Sequence, residues 1–195
     1  LKKSAFFGMP ASELDDPNTL PFKEFRLAFR DVTNRTNTRT TIASLIPENV
    51  LLVHSAPYLR FVRGDINHIL YVLGVLSSIP FDWLSRRYVE THLSFFILNA
   101  LRVPKHDSSD SRCLRVSQLT HHLLREKITI FDHVCNIPED YTKETALQEL
   151  DCLVAELYGL TKDHFSVIYE SFHHSGMIDG VNWKDAYNNT VKHWG

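Results

Sequence analysis

Cysteine is scarce in this chain: 195 residues contain three, Cys113, Cys135 and Cys152. They lie far apart and form no CxxC pair, and an odd number excludes a disulfide framework that uses every cysteine. We therefore expect buried free thiols in a reducing, cytoplasmic protein.

Long apolar segments are also missing. The longest apolar run, residues 66–81, contains Asn67, His68, two serines and Pro80, so it is too short and too polar to span a bilayer. No charged-then-apolar signal peptide begins the chain. We expect no membrane contact. The first residue is Leu rather than Met, from which we expect the chain to be part of a longer parent protein.

Catalytic signatures are missing as well. The sequence has no Gly-rich phosphate loop and no Gly-x-Ser-x-Gly motif. The histidine pairs at 121–122 and 173–174 are adjacent, so on a helix their side chains diverge by ~100° and one face uses one member. A zinc hydrolase built on these pairs, with His133 or His164, is the least favoured hypothesis. We expect no chemistry, metal or cofactor in this chain.

Charge is divided unevenly along the chain. Residues 21–127 contain 15 Lys and Arg against 9 Asp and Glu, whereas residues 128–195 contain 4 against 11. Twelve of the 15 basic residues are Arg, the side chain suited to bidentate recognition of anions. A basic body joined to an acidic end fits a local anionic partner. Three portions follow: a linker (1–22), a body (23–127) and an acidic helical portion (128–195).

The most informative stretch is residues 25–47. Both ends alternate apolar and polar residues, which predicts half-buried strands over 23–32 and 40–46, with Arg26 and Arg30 on the polar face. The middle, residues 31–40, is almost entirely Thr, Asn and Arg. This polar loop offers hydroxyls, amides and guanidinium groups, which are the groups that bind phosphates and base edges.

The rest of the pattern predicts an α+β fold with a mixed or antiparallel sheet and packed helices. Further strands are predicted at 50–53 and 58–62, and helices at 65–76 capped by Asp65, from 81, at 112–127, at 143–158 with Gly159 after its end, from 161 capped by Thr161, and at 183–194. Residues 92–101 fit a buried strand or a short helix. The acidic series Glu149, Asp151 and Glu156 is interpreted as the solvated side of its helix.

Four groups of residues follow one another in a distinctive order. They are Phe29-Arg30-Asp31-Val32-Thr33 with Arg39-Thr40-Thr41-Ile42-Ala43-Ser44-Leu45-Ile46-Pro47; Leu76-Ser77-Ser78 with Phe81-Asp82-Trp83 and Arg86; Leu101-Arg102-Val103-Pro104; and Asp151-Cys152-Leu153-Val154-Ala155-Glu156-Leu157-Tyr158-Gly159-Leu160-Thr161. In this order they resemble the C-terminal region of type IIG-like DNA methyltransferases of restriction-modification and related phage-defence systems. The resemblance covers most of residues 24–172. One departure is Leu76-Ser77-Ser78, where the family usually has a Leu-Asn-Ser-like turn.

The resemblance implies a target recognition domain, which reads double-stranded DNA while the methyltransferase core of the same parent chain flips out and methylates an adenine. S-adenosylmethionine is then expected for the parent and not for this chain, whose residues 16–18 are Asp-Pro-Asn instead of the Asn/Asp-Pro-Pro-Tyr/Phe loop. Whether the parent also cleaves DNA stays open. The competing hypothesis is a docking domain of a defence complex that does not touch DNA.

Candidate DNA-contacting residues come from the polar loop and the basic body: Arg30, Asn34, Arg35, Thr36, Asn37, Arg39, Thr40, Arg60, Arg63, Arg86 and Arg87. Within the loop, Asn34, Arg35 and Asn37 are the expected base readers, and Arg30, Arg39 and Thr40 are expected to maintain its shape. Three alternatives are structural. The Asn and Thr side chains could merely satisfy turn backbone, Arg39 could fold back onto loop carbonyls, and Arg86 or Arg87 could pair with Asp82 or Glu90.

Overall fold

In a computed structural model of the chain, the structure describes Pro10, Asp16 and residues 20–61, 65–124, 137–138, 140–172, 177–178 and 181–195. Within these residues the fold is α+β, as predicted. A three-stranded antiparallel sheet near the N-terminal end is followed by seven helices, and a short hairpin lies before the last helix.

The sheet places β1 (Arg26–Phe29) between β2 (Ala43–Ile46) and β3 (Tyr58–Leu59). The register pairs Phe29 with Ala43 and Leu27 with Leu59. The strands predicted around 23–32, 40–46 and 58–62 are therefore present in shorter form. The strand predicted at 50–53 is wrong, because these residues pair with no strand and the carbonyl of Val50 instead accepts a hydrogen bond from the Arg26 guanidinium.

The prediction of a half-buried strand with Arg26 on its polar face is also wrong. All four residues of β1 are buried, and Arg26 is only 1% exposed. Its Nε donates to the carbonyl of Glu24 at 3.2 Å, and its Cζ lies 5.0 Å from the centre of the Tyr58 ring. Carbonyls and an aromatic face thus replace water around the guanidinium, which makes burial of the charge tolerable.

Seven helices make up most of the remaining described chain. Their bounds are α1 Ile66–Ser77, α2 Ile79–Ser85, α3 Phe95–Ala100, α4 Ser111–Leu124, α5 Lys143–Leu157, α6 Lys162–Ser171 and α7 Trp183–Val191. The predicted caps are confirmed, since Asp65 accepts from the His68 N–H and Thr161 accepts from the His164 N–H. Gly159 has φ +71° just after α5, a conformation that glycine adopts without steric cost.

Residues 92–101, which by sequence fitted either a strand or a helix, contain helix α3. Helix α2 begins at Ile79, earlier than predicted, because Ser78 caps it and Pro80 fits the first turn. Two short strands, β4 (Met177–Ile178) and β5 (Val181–Asn182), pair with each other in a hairpin that was not predicted. Taken singly, none of the described helices has the length and apolar composition to cross a membrane, although α1 and α2 meet that test together with a 64° bend between them.

Two hydrophobic clusters form the core. The larger one joins the sheet to α1, α2, α4 and α5, with Phe29, Phe81 and Leu150 fully or almost fully buried. The smaller one lies among α5, α6 and α7 around Phe165 and Tyr169. Helix α2 contributes to both, because its Phe81 enters the larger cluster and Ile79 and Trp83 pack against the smaller one.

Helices α1 and α4 approach closely at Gly74. A Cβ at this position would lie 2.4 Å from Thr120 Oγ1 and 2.8 Å from Val116 Cγ1. Both neighbours are β-branched side chains of a packed helix and cannot easily turn away. A hydrogen atom is therefore the only side chain that fits between these helices without movement.

The acidic series of α5 does not form a solvated face, which corrects the prediction. Asp151 is 7% exposed, and its Oδ1 accepts from the Ile79 N–H at 2.7 Å. Glu149 forms a bidentate pair with Arg115 of α4, at 2.6 and 2.9 Å. Glu156 accepts from the Gly195 N–H at 3.0 Å. Because α5 packs against α4, α7 and α2, its carboxylates meet partners on α4, on α2 and at Gly195, which follows α7.

Candidate nucleic-acid interface

The polar loop connects β1 to β2, the two antiparallel neighbours at one side of the sheet. Its tip consists of Asn34, Arg35 and Thr36, of which Arg35 and Thr36 are exposed and Asn34 is half-buried. Asn34 Oδ1 accepts from the Thr36 N–H and from Thr36 Oγ1, both at 2.9 Å. The Asn37 N–H donates to the Asn34 carbonyl at 3.1 Å. The tip is therefore a turn whose shape is set by its own polar groups.

The base of the loop is buried against α2. The Thr40 N–H donates to both oxygens of the Asp82 carboxylate, at 2.9 and 3.2 Å, and the Thr41 N–H donates to Oδ1 at 2.6 Å. Thr41 Oγ1 also donates to Ser85 Oγ at 2.8 Å. Asp82, Thr40 and Thr41 are each less than 5% exposed. A carboxylate that accepts two backbone N–H groups fixes the backbone where the loop enters the sheet.

Arg86 fixes the loop from the same helix. Its Nη2 donates to the carbonyls of Asn37 and Thr38, at 2.8 and 2.7 Å, and its Nε lies 3.3 Å from Asp82 Oδ2. The pairing of Arg86 with Asp82 at i, i+4 spacing confirms the structural alternative for this residue. Burial lowers the pKa of the Arg86 guanidinium, and the neighbouring Asp82 carboxylate opposes that effect. The fork of one guanidinium thus binds a carboxylate and two loop carbonyls.

Three further side chains close the loop on itself. Thr33 Oγ1 donates to the Thr40 carbonyl at 2.6 Å across the neck of the loop. With its amide oxygen turned toward them, Asn37 accepts from the Asn34 N–H at 3.2 Å and from Arg30 Nη2 at 3.0 Å. Arg30 is exposed but bonded to the loop from inside, in keeping with the shape-maintaining role expected of it.

Arg39 is folded back, as one alternative anticipated. Its Nη2 donates to the carbonyl of Ser77, at the end of α1, and the side chain is half-buried. The acceptor is a helix-end carbonyl and not a loop carbonyl. Arg39 therefore joins the loop to the point where α1 ends and α2 begins.

These contacts correct the set of candidate DNA-contacting residues. Thr40 is 0% exposed and cannot touch a ligand in this structure. Arg39 and Arg86 bind carbonyls of the chain, and Asn37 is half-buried with both its carbonyl and its amide engaged. Among the loop candidates, Arg35 and Thr36 remain exposed, with Asn34 and Arg30 partly engaged beside them.

The candidates outside the loop make different kinds of contact. Arg60 forms an ion pair with Glu24 at 3.4 Å, and exposed Arg87 lies over the Trp83 ring with its Cζ 4.4 Å from the centre. Arg87 is not bonded to the polar loop in the part of the chain that the structure describes. Arg63 lies outside the described residues.

A segment that the sequence did not single out runs beside the loop. The Thr33 N–H donates to the Thr91 carbonyl at 3.0 Å, and the Leu93 N–H donates to the Asp31 carbonyl at 2.8 Å. Asp31 Oδ2 also lies 3.1 Å from Nδ1 of exposed His92. Because the partners are about sixty residues apart, no local pattern could have revealed this pairing.

His122 and the described cysteines lie in buried positions. His122 is buried, with Nε2 2.9 Å from the Tyr141 carbonyl, and no group of three potential metal ligands occurs among the described residues. His133 and the pair at 173–174 lie outside those residues. Cys113 and Cys152 are buried free thiols, as expected, and burial raises the pKa of Cys152 to about 12. Cys135 is not among the described residues.

Compared with protein-family models, with curated proteins and with solved structures, the chain matches none of them.

Proposed function

We propose that this chain is the target recognition domain of a larger DNA adenine methyltransferase and binds a short sequence of double-stranded DNA. The observation that carries the proposal is the polar loop. Its tip presents an amide, a guanidinium and a hydroxyl without an apolar anchor, at Asn34, Arg35 and Thr36, of which the last two are exposed. These groups pair with base edges and phosphates in the major groove.

The rigidity of the base supports the proposal. A recognition element discriminates best when its backbone is fixed before binding, because less ordering opposes association. The base provides this through Asp82 and Arg86, which bond main-chain groups on both sides of residue 39. The excess of Lys and Arg in residues 21–127, 15 against 9 Asp and Glu, gives this portion a net positive charge that favours approach to phosphates.

The methylation chemistry belongs, in this proposal, to a methyltransferase core elsewhere in the parent chain. S-adenosylmethionine would bind there, and the role of this chain would be to position that core on its DNA site. Cleavage of DNA by the parent is not part of the proposal.

The test begins with selection of bound duplexes from a library with a randomised centre, followed by titration of labelled duplexes at about 50 mM and about 200 mM salt. Arg35→Ala is expected to lower the affinity for the selected duplex about tenfold to 100-fold. Loss confined to the selected sequence identifies a base contact, and an equal loss for all duplexes identifies a phosphate contact.

Arg102→Ala is the matched control. Arg102 is an exposed arginine whose carbonyl accepts from Tyr158 Oη at 2.6 Å, so it lies against α5 and not against the loop. Its substitution should change the affinity less than twofold to threefold, roughly the weight of one distant charge. Absence of duplex binding at about 50 mM salt would contradict the proposed function.

A docking domain without DNA contact is the second candidate, and one observation favours it. Phe96 on α3 is 87% exposed and Phe95 beside it is 43% exposed, which is unusual for large apolar side chains. A partner protein retained on the immobilised chain at high salt, and released by Phe96→Ser, would support docking. Retention of the selected duplex by Phe96→Ser with unchanged affinity would leave DNA recognition as the better account.

A further inference from the structure

Helix α2 stands between the polar loop and the C-terminal helices α5, α6 and α7. On the loop side, its Asp82 and Arg86 bond the backbone at both flanks of residue 39. On the opposite side, its Ile79 and Trp83 pack against the cluster formed by α5, α6 and α7. One short helix is therefore in contact with the proposed recognition loop and with the acidic portion of the chain.

Phe172, the residue just after α6, connects the C-terminal helices to the polar loop most directly. Its ring centre lies 3.9 Å from Cζ of Arg86, within the range of a cation–π interaction. The Arg86 side chain is 15% exposed. The ring thus covers a face of the guanidinium, while the guanidinium N–H groups donate in its plane to Asn37 and Thr38.

A second connection attaches the other end of α2 to the same helices. Asp151 of α5 accepts the N–H of Ile79, the first residue of α2, at 2.7 Å. Arg39 of the loop donates to the carbonyl of Ser77, two residues earlier. The start of α2 is therefore bonded both to α5 and to the loop, independently of the contact between Arg86 and Phe172.

From these contacts we infer that the C-terminal helices set the geometry of the polar loop, and that Phe172 is a positioning residue for DNA recognition. This inference rests on the proposed function. Phe172 would not touch DNA. It would restrict the Arg86 guanidinium to the orientation in which both loop carbonyls are bonded, and thereby keep the Arg35 tip in one conformation.

The reason to separate this role from ordinary packing is the nature of the contact. A leucine at 172 would still contribute apolar contacts to the smaller cluster but would offer no aromatic face to the guanidinium. Tyrosine would restore that face. The pair Phe172→Leu and Phe172→Tyr therefore distinguishes loss of the cation–π contact from loss of apolar volume.

The experiment measures three quantities on the same proteins: the denaturation midpoint, the rate of tryptic cleavage after Arg35, and the affinity ratio between the selected duplex and an unrelated one. Phe172→Leu is expected to raise the cleavage rate after Arg35 about fivefold, because local opening of the loop becomes more frequent. The affinity ratio should fall by a similar factor, with an unchanged salt dependence because no phosphate contact is lost. Phe172→Tyr should restore both.

Trp183→Leu is the matched control, because it removes an aromatic ring of the C-terminal helices whose cation partner is Lys184, at 5.7 Å. It should change neither the cleavage rate after Arg35 nor the affinity ratio. Tryptic cleavage after Arg102 serves as an internal reference within each protein.

The outcomes distinguish this inference from the proposed function. Duplex binding by all variants, with equal affinity ratios and equal cleavage after Arg35, would overturn the positioning role and leave DNA recognition intact. An equal effect of Trp183→Leu, or cleavage after Arg102 that rises in parallel, would also overturn it by indicating general destabilisation. If no variant binds DNA, the proposed function fails, and the cleavage rates alone decide whether Phe172 restrains the loop.

Discussion

The tip and the base of the polar loop are built from the same residue types but have opposite environments. At the tip, Arg35 and Thr36 are exposed and the bonds are local, within three residues. At the base, Arg39, Thr40 and Thr41 are bonded to residues about forty positions away, at Ser77, Asp82 and Ser85. Composition therefore describes what a loop could bind, whereas burial decides which of its residues are available to do so.

The tip and the base also use arginine in two different ways. Arg86 has its guanidinium occupied by Asp82, two carbonyls and a ring, so its charge serves the fold. Arg35 forms no hydrogen bond or ion pair with any of the residues that the structure describes. The fork geometry that suits an arginine to phosphate or guanine suits it equally to backbone carbonyls. A cationic sequence pattern alone cannot tell these uses apart.

The strongest way to break the base is Asp82→Ala. The substitution leaves two buried N–H groups without an acceptor and removes the carboxylate partner of the half-buried Arg86 guanidinium, which is expected to cost about 3–5 kcal/mol of unfolding free energy. Chemical denaturation measures the loss. Asp82→Asn, which keeps one oxygen acceptor and the side-chain volume, should lose less. A loss below about 1 kcal/mol for Asp82→Ala would contradict the role assigned to this carboxylate.

Gly74→Ala is a control that lowers the free energy of unfolding at a position away from the loop. The added methyl group would press on Val116 and Thr120, and such overpacking typically costs about 1–3 kcal/mol. Its effect on duplex affinity should be small in conditions where the protein stays folded. A large effect would mean that affinity follows general stability and not the base of the loop.

The contribution of Asp151 on α5 to the base of the loop can be tested by varying the pH. Burial raises the pKa of Asp151 to about 6, with the Arg39 guanidinium and the Ile79 N–H opposing the rise. An acid whose folded pKa is raised stabilises the fold most below its ordinary pKa and loses that contribution as pH rises through the folded value. Asp151→Asn keeps an oxygen acceptor without the charge. Relative to the unsubstituted protein, it should gain stability between about pH 4 and pH 7, by at most about 3 kcal/mol.

Denaturation midpoints measured across that pH range provide the check. Asp110→Asn is a control with the opposite sign, because hydrogen bonds from Arg112 lower the pKa of Asp110 and its stabilising contribution is lost as pH falls. If the difference between Asp151→Asn and the unsubstituted protein does not vary with pH, Asp151 ionises as readily as a solvated carboxyl, contrary to its burial.

The smallest expected effect on stability is at the tip. Arg35→Ala should change the free energy of unfolding by less than about 0.5 kcal/mol, since no described contact is lost. The same denaturation experiment tests it. A loss above about 1 kcal/mol would place the Arg35 guanidinium among the residues that maintain the loop, and the comparison between tip and base would fail.

Local signals in the sequence predicted much of the fold. Asp65 and Thr161 as caps, Gly159 after α5 and the strands on both sides of the loop all depend on residues within a few positions of each other. The errors share a different cause. The burial of Arg26 and the partners of Asp151 are set by segments distant in sequence, and residues 50–53 have the composition of a strand without a neighbour to pair with.

The candidate site divides in the same way. The polar loop could be identified from the sequence, and so could possible structural roles for Arg39 and Arg86. For Arg86 the signal is local, because an Arg four residues after Asp82 is a recognisable pair. The sequence did not reveal that Asp82 accepts from Thr40 and Thr41, or that Thr91 and Leu93 pair with the loop. Those contacts join residues more than forty positions apart, and only the packed sheet and helices bring them together.

The bonds from Asp82 and Arg86 have a consequence for how new specificities could arise. They reach only main-chain groups, at Asn37, Thr38, Thr40 and Thr41. A carbonyl or an N–H is offered by almost any amino acid, so these particular bonds place little demand on the side chains at the four positions they reach. We expect Arg35, whose side chain forms no hydrogen bond with the described residues, to tolerate wide replacement in a combinatorial library, with the surrounding scaffold unchanged. The side chain that contacts a ligand at the tip could then change, by evolution or by design, while the bonds that hold the loop backbone stay the same.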